Sequence, residues 1–279
     1  MADPDQSPPN PPQTVANLRQ NLFQYRDQNN QLQTLNLPGP ARIEEHVILY
    51  PERWIWVPTV EGVLNQGWED LFCAVCGRWG HSTRRNGAIC HGQQCRAAFQ
   101  ILADDCRNNR IELRATPSMG LGVFATTDIP SNRVLGEYLG DLRPPTEDPN
   151  HIDHYQFTLS GIAFISATEA GNWTRFVNHN CNPNVTVGDD MYGRRRAIVF
   201  TSNRAIAAGE QLSINYGDHY FEPLRIDCTC DAHAGPHQPG GRPAMFQTPV
   251  LEPIVLELGT PIPSSPGQYQ QIPRRDPSP

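Results

Sequence analysis

The middle of the chain alternates apolar and polar side chains with the period of a β-strand. Six stretches show this alternation or a short apolar run bounded by glycine or proline, at residues 111–116, 122–129, 134–140, 155–159, 163–167 and 194–206. Apolar positions at helical spacing occur at residues 97–106, and residues 61–72 have the length of one short helix. The pattern predicts a mostly β domain with few short helices.

The two ends of the chain lack such patterns. Residues 1–40 are rich in Pro, Gln and Asn, and residues 238–279 are rich in Pro, so both segments are expected to be disordered. The apolar stretches at 47–50 and 54–57 predict short strands or packed loops. About 190 residues remain for globular structure, which is enough for one core.

Composition restricts the class of protein. The chain has 279 residues and a formal net charge of −7. It contains no run of 18 apolar residues, so the sequence predicts no membrane-spanning helix. The N-terminus has no basic-then-apolar signal pattern, which favours a reducing compartment. In that compartment the eight cysteines are expected to be zinc ligands or free thiols.

Four of the cysteines form two closely spaced pairs. Cys73 and Cys76 have C-x2-C spacing, Cys90 and Cys95 have C-x4-C spacing, and 13 residues separate the pairs. Two such pairs have the reach of a tetrahedral thiolate zinc site, with two nearby histidines as competing ligands. Four free cysteines in a core are the alternative. Residues 41–110 are thus predicted to be a small zinc-finger-like region.

A polar cluster lies at residues 172–184, NWTRFVNHNCNPN, and has neither helical nor strand period. Apolar residues stand directly before its Asn-His pair and draw the segment toward the interior. Buried polar groups are costly unless they are hydrogen-bonded, so a ligand or a neighbouring segment has to engage them. For an isolated Asn-His pair, a polar surface loop is the alternative.

This cluster resembles a signature of the SET domain family of protein lysine methyltransferases. Residues 175–184, RFVNHNCNPN, are similar to its RFxNHSCxPN motif, and residues 209–217, GEQLSINYG, are similar to GExLxxDYG. Upstream, residues 120–125, GLGVFA, resemble GxGxxA, and residues 136–140, GEYLG, resemble GEYxG. Four motifs in the family's order make the resemblance specific. The interval between the two C-terminal motifs, RFVNHNCNPN and GEQLSINYG, suits two strands and a turn.

The resemblance implies a SET (β-clip) fold over residues 111–217, with short twisted sheets and a knot-like C-terminal threading. It also implies S-adenosylmethionine as methyl donor, held by Gly120, Leu121, Gly122, Arg175, Asn178, His179 and Tyr216. Tyr216 stands at the position of the family's catalytic tyrosine, and we expect Tyr138 and Tyr155 to contribute to catalysis. Aromatic walls suit methyl transfer because desolvation favours the neutral, nucleophilic amine of lysine.

The sequence departs from the family's pattern at three positions near the expected site. Asn180 replaces the Ser of the first motif, and Asn215 replaces the Asp of the second. Ile214 stands where the family has Phe or Tyr. Because Ile214 has no hydroxyl to hold a water, the pocket is expected to accept a methylated amine.

A second zinc site is implied by the resemblance, closing the domain at residues 218–237. Its expected ligands are Cys181, Cys228, Cys230 and His233. His237 is the alternative to the last of these. Two zinc ions per chain are therefore expected, and Cys106 is left as a buried thiol.

Two functional classes remain open. The first is a monomeric, nuclear protein-lysine methyltransferase acting on a histone tail, and the second is an inactive SET-containing module that binds chromatin or another protein. Residues 112–231 hold nine arginines against fifteen acidic residues, which favours a basic tail and disfavours sequence-specific nucleic acid binding. Five of these acids are expected in loops beside the peptide entrance: Asp189, Asp190, Asp218, Glu222 and Asp227.

Two features of the basic residues need interpretation. The run of three arginines at 194–196 is interpreted as the start of a strand, with a basic patch for nucleic acid as the alternative. All 22 positive residues are arginine. Either mutational bias or avoidance of self-modification explains the absence of lysine.

Overall fold

The computed structural model describes residues 22–35, 40–81, 89–145, 153–159, 161–217, 220–221, 228, 230 and 232. The described residues form fifteen strands: β1 Gln24–Arg26, β2 Leu32–Thr34, β3 Ala41–Arg42, β4 Val47–Ile48, β5 Ile111–Ala115, β6 Leu121–Ala125, β7 Val134–Glu137, β8 Asp141–Arg143, β9 Gln156–Leu159, β10 Ala163–Ser166, β11 Ala170–Gly171, β12 Asn178–His179, β13 Val185–Tyr192, β14 Arg195–Ser202 and β15 Ser213–Ile214.

Helices are few, as the sequence pattern predicts. Helix α1 spans Val60–Leu64 and α2 spans Gln93–Asp105, followed by a π-helical turn at Cys106–Arg110. Two 3-10 turns lie at Pro51–Arg53 and Trp173–Phe176. The mostly β fold class is confirmed. None of the helices in this described part is long and apolar enough to cross a membrane.

Three sheets surround the core. Their strand orders are β2-β1-β5-β6, β4-β8-β10-β9 and β13-β14-β7. The pairs β1–β5 and β4–β8 are parallel, and the other neighbours in these sheets are antiparallel. Two further pairs of two-residue strands, β3–β11 and β12–β15, are also parallel. Strands β13 and β14 fill the interval predicted to hold two strands and a turn.

The β13–β14 hairpin carries apolar packing on both faces. Val187 and Phe200 belong to the main core, whereas Met191 and Val199 belong to a second cluster formed with α2 and the first cysteines. Strand β14 is therefore buried along its whole length. This double burial explains the apolar run at residues 197–200 in the middle of the strand.

Part of the N-terminal segment differs from the prediction of disorder. Residues 24–34 form the β1–β2 hairpin, which extends the first sheet beside β5. Arg26 donates to Glu112 at 2.9 Å, and the ring of Phe23 packs edge-on against Phe176. For these residues the prediction of disorder is wrong, because contacts distant in sequence supply the stabilisation that their composition lacks.

The apolar stretch at 54–57 is also packed differently from the prediction. Trp54 is buried, but Ile55 and Val57 are 92% and 89% exposed. The 3-10 turn that begins at Pro51 leads into bends at this point, so the stretch does not continue as a strand. For these two residues the prediction of a packed strand or loop is wrong.

The arginines that open β14 are engaged in ion pairs. Arg195 is buried and binds Glu137, and Arg196 binds Asp189 at 2.5 Å. Asp189 and Asp190 lie in strand β13 and not in an entrance loop as expected, and Asp190 is buried. The other three acids expected at the entrance lie outside the described residues.

Candidate functional site

The two C-terminal motifs meet through parallel pairing of β12 with β15. Asn178 pairs with Ser213, and His179 pairs with Ile214. Immediately after this pairing, the hydroxyl of Tyr216 donates to the carbonyl oxygen of Val177 at 2.9 Å. Residues separated by nearly 40 positions in sequence are thereby held side by side.

The glycine turn before β6 contacts the same place. Gly120 has a φ of +69°, which L residues with a side chain rarely adopt. A Cβ at Gly122 would lie 2.6 Å from Nε2 of Gln211 and 3.1 Å from Nδ2 of Asn178. The Asn178 amide donates to the carbonyl oxygen of Leu121 at 3.0 Å, so the turn and β12 are directly joined.

A cavity of about 540 Å³ opens where these segments meet. Six of the residues predicted to hold the donor line it: Gly120, Leu121, Arg175, Asn178, His179 and Tyr216. The structure thus brings together on one cavity residues from the glycine turn, the polar cluster and the last motif. Gly122 lies behind the cavity lining, where its missing side chain admits Asn178.

The three predicted catalytic tyrosines occupy different environments. Tyr155 and Tyr216 line the cavity. Tyr138 is 3% exposed, packs against Phe157, and donates its hydroxyl to the carbonyl oxygen of Tyr155 at 2.7 Å. Tyr138 therefore supports Tyr155 from the core and is not among the residues that line the cavity.

Arg175 places a positive charge at the cavity. Its Nε donates to the carbonyl oxygen of Ala167 at 2.8 Å, and its guanidinium lies over the rings of Tyr155 and Phe176. Burial lowers the pKa of this guanidinium from its ordinary value. None of the described carboxylates forms an ion pair with Arg175, whose guanidinium also interacts with the side chain of Tyr155 and suits an anionic ligand.

The phenol of Tyr216 stays protonated at physiological pH. Burial raises the pKa of Tyr216 above its ordinary value, and the neighbouring Tyr220 and Tyr155 act in the same direction. Because its proton is directed at Val177, the hydroxyl oxygen presents lone pairs elsewhere. This group can orient polarised C–H bonds but is unsuited to act as a general base.

The first cysteine cluster matches the sequence prediction. The sulfur atoms of Cys73, Cys76, Cys90 and Cys95 lie within 4.8 Å of one another. Contact with Cys73 is the main cause that lowers the pKa of Cys76 to about 7, which favours the thiolate form that binds zinc. The amide of Ala74 donates to Met191 in β13, so this donor set joins the cysteine loop and α2 to the hairpin.

The second cluster contains the three predicted cysteines together with His179, which the prediction did not include. Ligand atoms of Cys181, Cys228 and Cys230 lie within 4.8 Å of one another, and His179 lies within the same distance. Burial, followed by contacts with the other two thiols, raises the pKa of Cys181 to about 12. The predicted ligand His233 and its alternative His237 lie outside the described residues. Three convergent thiols fit a zinc ion, whose binding replaces their protons.

The sequence interpretation missed several residues that line the cavity, including three ring-bearing side chains outside the four motifs. His154 and Tyr220 lie 6.2 Å apart between ring centroids, and Phe221 packs against His179 at 4.7 Å. The aromatic pair that begins three residues after Gly217, the last residue of the GEQLSINYG motif, was a usable signal for Tyr220 and Phe221. Nothing in the local sequence around His154 marks it as a cavity residue.

Comparison with known proteins agrees with this architecture. Residues 120–217 match the model of the SET domain family. A histone-lysine N-methyltransferase of Candida albicans, H3 lysine-36 specific, is 32% identical over 147 residues, 47% of this chain and 17% of that protein. The human histone-lysine N-methyltransferase EHMT1 is 35% identical over 137 residues, 42% of this chain and 10% of that protein.

Solved structures show a more distant similarity. Arabidopsis thaliana SUVH6 in complex with SAM has 26% sequence identity and a TM-score of 0.39, covering 44% of this chain and 31% of that one. This chain spans less than a fifth of the length of the two curated relatives above. Residues 120–217 are similar to SET domains, and through this region the chain is similar to histone-lysine N-methyltransferases.

Proposed function

We propose that this chain is an S-adenosylmethionine-dependent protein-lysine N-methyltransferase that acts on a histone tail. The observation that carries the proposal is the cavity of about 540 Å³ on which Gly120, Arg175, Asn178 and Tyr216 converge. These residues come from three separate motifs, and only the fold unites them. An inactive SET-containing binding module is the alternative.

The proposed donor site uses charge and backbone groups of the cavity. Arg175 is proposed to bind the donor's carboxylate, because its guanidinium lies at the cavity without a carboxylate partner among the described residues. The turn at Gly120 and Leu121 brings backbone close to the ligand, and Asn178 fixes that turn. S-adenosylmethionine supplies the methyl group as a sulfonium cation.

The proposed acceptor site has to hold a neutral lysine amine in line with that methyl group. Tyr155, Tyr216 and Tyr220 give it aromatic walls, which disfavour the ammonium form by desolvation. The protonated Tyr216 cannot take the amine proton, so we propose that the lysine loses its proton to water before transfer. Its hydroxyl oxygen then orients the methyl hydrogens.

Two zinc ions are proposed to be structural. One would be held by Cys73, Cys76, Cys90 and Cys95, and would fix residues 41–110 on the SET domain. The other would be held by Cys181, Cys228 and Cys230 with one further ligand. Cys228 and Cys230 line the cavity, so this second ion would complete its wall.

A histone tail is the proposed substrate for two reasons. The relatives that match are named histone-lysine N-methyltransferases, including one that is H3 lysine-36 specific. Residues 112–231 also have a net acidic composition that attracts Lys- and Arg-rich peptides. We also propose that the chain acts as a monomer on chromatin in the nucleus.

Donor binding is the first experimental test. Calorimetric titration with S-adenosylmethionine should show one site per chain, weakened at least about tenfold in Arg175→Gln because a charged hydrogen bond is lost. Arg53→Gln, which changes an exposed arginine outside the cavity lining, should bind like the parent.

Methyl transfer is the second test and separates the two functional classes. Purified chain with labelled donor should modify at least one core histone in a panel of the four. A chain that folds but neither binds the donor nor modifies any histone would favour the inactive binding module.

A further inference from the structure

His179 lies between the second cysteine cluster and the backbone of Tyr216. We propose that His179 is not a metal ligand but a positioning residue, whose Nε2–H donates to the Cys181 thiolate while its Nδ1 accepts the N–H of Tyr216. The hydrogen-bond assignment stands without the proposed function, and only its consequence for catalysis rests on that function.

The geometry on both sides of the imidazole is close. Nε2 of His179 lies 3.2 Å from Sγ of Cys181, and the backbone nitrogen of Tyr216 lies 3.1 Å from Nδ1. The ring is buried, with Phe221 packed edge-on against it at 4.7 Å. Both ring nitrogens therefore have a partner, Nε2 in the second cysteine cluster and Nδ1 at the backbone of Tyr216.

Distance alone does not decide whether Nε2 binds the metal. Zinc–nitrogen and zinc–sulfur bonds of ordinary length put two ligands of one tetrahedral ion about 3.5 Å apart. The sulfurs of Cys181 and Cys228 are 3.9 Å apart, which suits two ligands of the same ion. Nε2 of His179 is near enough to Cys181 for either a shared ion or an N–H···S hydrogen bond.

The hydrogen-bond partner of Nδ1 decides between these two arrangements. A neutral imidazole has one N–H and one bare nitrogen, and a metal-bound histidine carries its proton on the nitrogen that faces away from the metal. If Nε2 bound zinc, Nδ1 would carry a proton and would lie 3.1 Å from the backbone nitrogen of Tyr216. Two N–H donors would then point at each other without an acceptor. Nδ1 instead accepts from Tyr216, so Nε2 carries the proton and donates to Cys181.

Two consequences follow for the site. The second metal site needs a fourth ligand other than His179, which keeps His233 as a candidate outside the described residues. Tyr216 is also fixed at both ends by one segment, through its N–H at His179 and its hydroxyl at Val177. The Cys181 thiolate orients the imidazole that holds this backbone, so metal occupancy and the position of Tyr216 are coupled.

Nitrogen-15 NMR of the wild-type chain tests the assignment directly. With labelled histidine and zinc bound, long-range proton–nitrogen correlations should show His179 protonated at Nε2 and bare at Nδ1. The resonance is assigned by its loss in His179→Asn. In cadmium-113 protein, a one-bond cadmium–nitrogen coupling to His179, or protonation at Nδ1, would overturn the proposal.

Two substitutions test the positioning role by zinc content and turnover. Asn can place an amide oxygen near the site of Nδ1 and still accept from Tyr216, whereas Ala cannot. Both His179→Asn and His179→Ala should retain two zinc ions per chain. The kcat of the Ala variant should be lower than that of the Asn variant by on the order of tenfold.

Each remaining outcome bears on the proposal. A folded Asn variant with one zinc would make His179 a ligand and overturn it, and equal kcat in the two variants would overturn the link to Tyr216. If the Ala variant does not fold, the NMR result and the Asn variant's zinc content still decide the ligand question. If the wild type transfers no methyl group, the proposed function fails, but the tautomer and zinc content remain decisive here.

Discussion

The hydroxyl of Tyr216 donates to the backbone carbonyl of Val177, with 2.9 Å between the two oxygens. This bond joins the last motif to the polar cluster and fixes the tyrosine at the cavity. The direction of the donated proton determines where the lone pairs point, and therefore what the phenol can do to a ligand.

Removing this hydroxyl should impair catalysis more than donor binding. We predict that Tyr216→Phe lowers kcat by at least about 100-fold, the scale of a lost oriented polar group in a transition state. The donor dissociation constant should change little, because Arg175 and the glycine turn are intact. Single-turnover kinetics and calorimetry measure the two quantities, and a mutant with full turnover would make Tyr216 purely structural.

Elemental analysis should find two zinc ions per purified chain. Cys90→Ser should reduce this to one and lower the melting temperature, because the first cluster joins α2 to the β13–β14 hairpin. Cys228→Ser should also leave one zinc but should weaken donor binding more, since Cys228 lines the cavity. Cys106→Ser, a buried thiol outside both clusters, is the control for zinc content. One zinc in the parent protein would mean that a site is wrongly assigned.

The GEYLG motif contains a buried carboxylate whose loss should destabilise the fold. Glu137 accepts from Arg195 at 2.6 Å and from Tyr192, and contacts His46. Glu137→Gln leaves Arg195 without its buried counter-charge, so urea unfolding at pH 7 should show a loss of about 3–5 kcal/mol. Glu44, which forms ion pairs at the surface, gives the control. Glu44→Gln should lower the free energy of unfolding by less than about 1 kcal/mol.

The same carboxylate gives a pH dependence of defined sign. Burial opposes ionisation, but attraction to Arg195 and the bond to His46 outweigh it and lower the pKa of Glu137 to about 2. A depressed pKa contributes stability that is complete above the ordinary glutamate value of about 4.3 and is lost as the pH falls toward 2. The stability difference between parent and Glu137→Gln should therefore shrink across that window, and a constant difference would refute the assignment.

Charge should control substrate affinity more than turnover. Raising salt from low to physiological concentration should increase the KM for a histone-tail peptide, because screening weakens attraction to the acidic domain. Asp218→Asn combined with Glu222→Gln should raise KM while kcat is largely kept. Glu52→Gln, on an exposed 3-10 turn, is the matched control. Salt-independent activity would contradict a substrate selected by charge.

The sequence predicted those features that depend on local spacing. The paired cysteines 73 and 76, the glycines 120 and 122, and the motif around Asn178 each carry their signal within a few residues. The strand pattern was recovered for the same reason, since alternation reflects burial on a sheet.

The features that were not predicted depend on distant contacts. The β1–β2 hairpin is held by Glu112 and Phe176, and His154 reaches the cavity only through the fold. The inward position of Tyr138 depends on its bond to the Tyr155 carbonyl, a contact that no spacing rule reveals. The orientation of His179 likewise depends on Tyr216, 37 positions away.

Mass spectrometry of histone H3 after incubation with the purified chain and S-adenosylmethionine tests the central claim most directly. The proposed function predicts a gain of one or more methyl groups on lysine, absent without donor and strongly reduced with Tyr216→Phe. A folded chain with two zinc ions and bound donor that leaves H3 and the other core histones unmodified would contradict a histone-lysine methyltransferase.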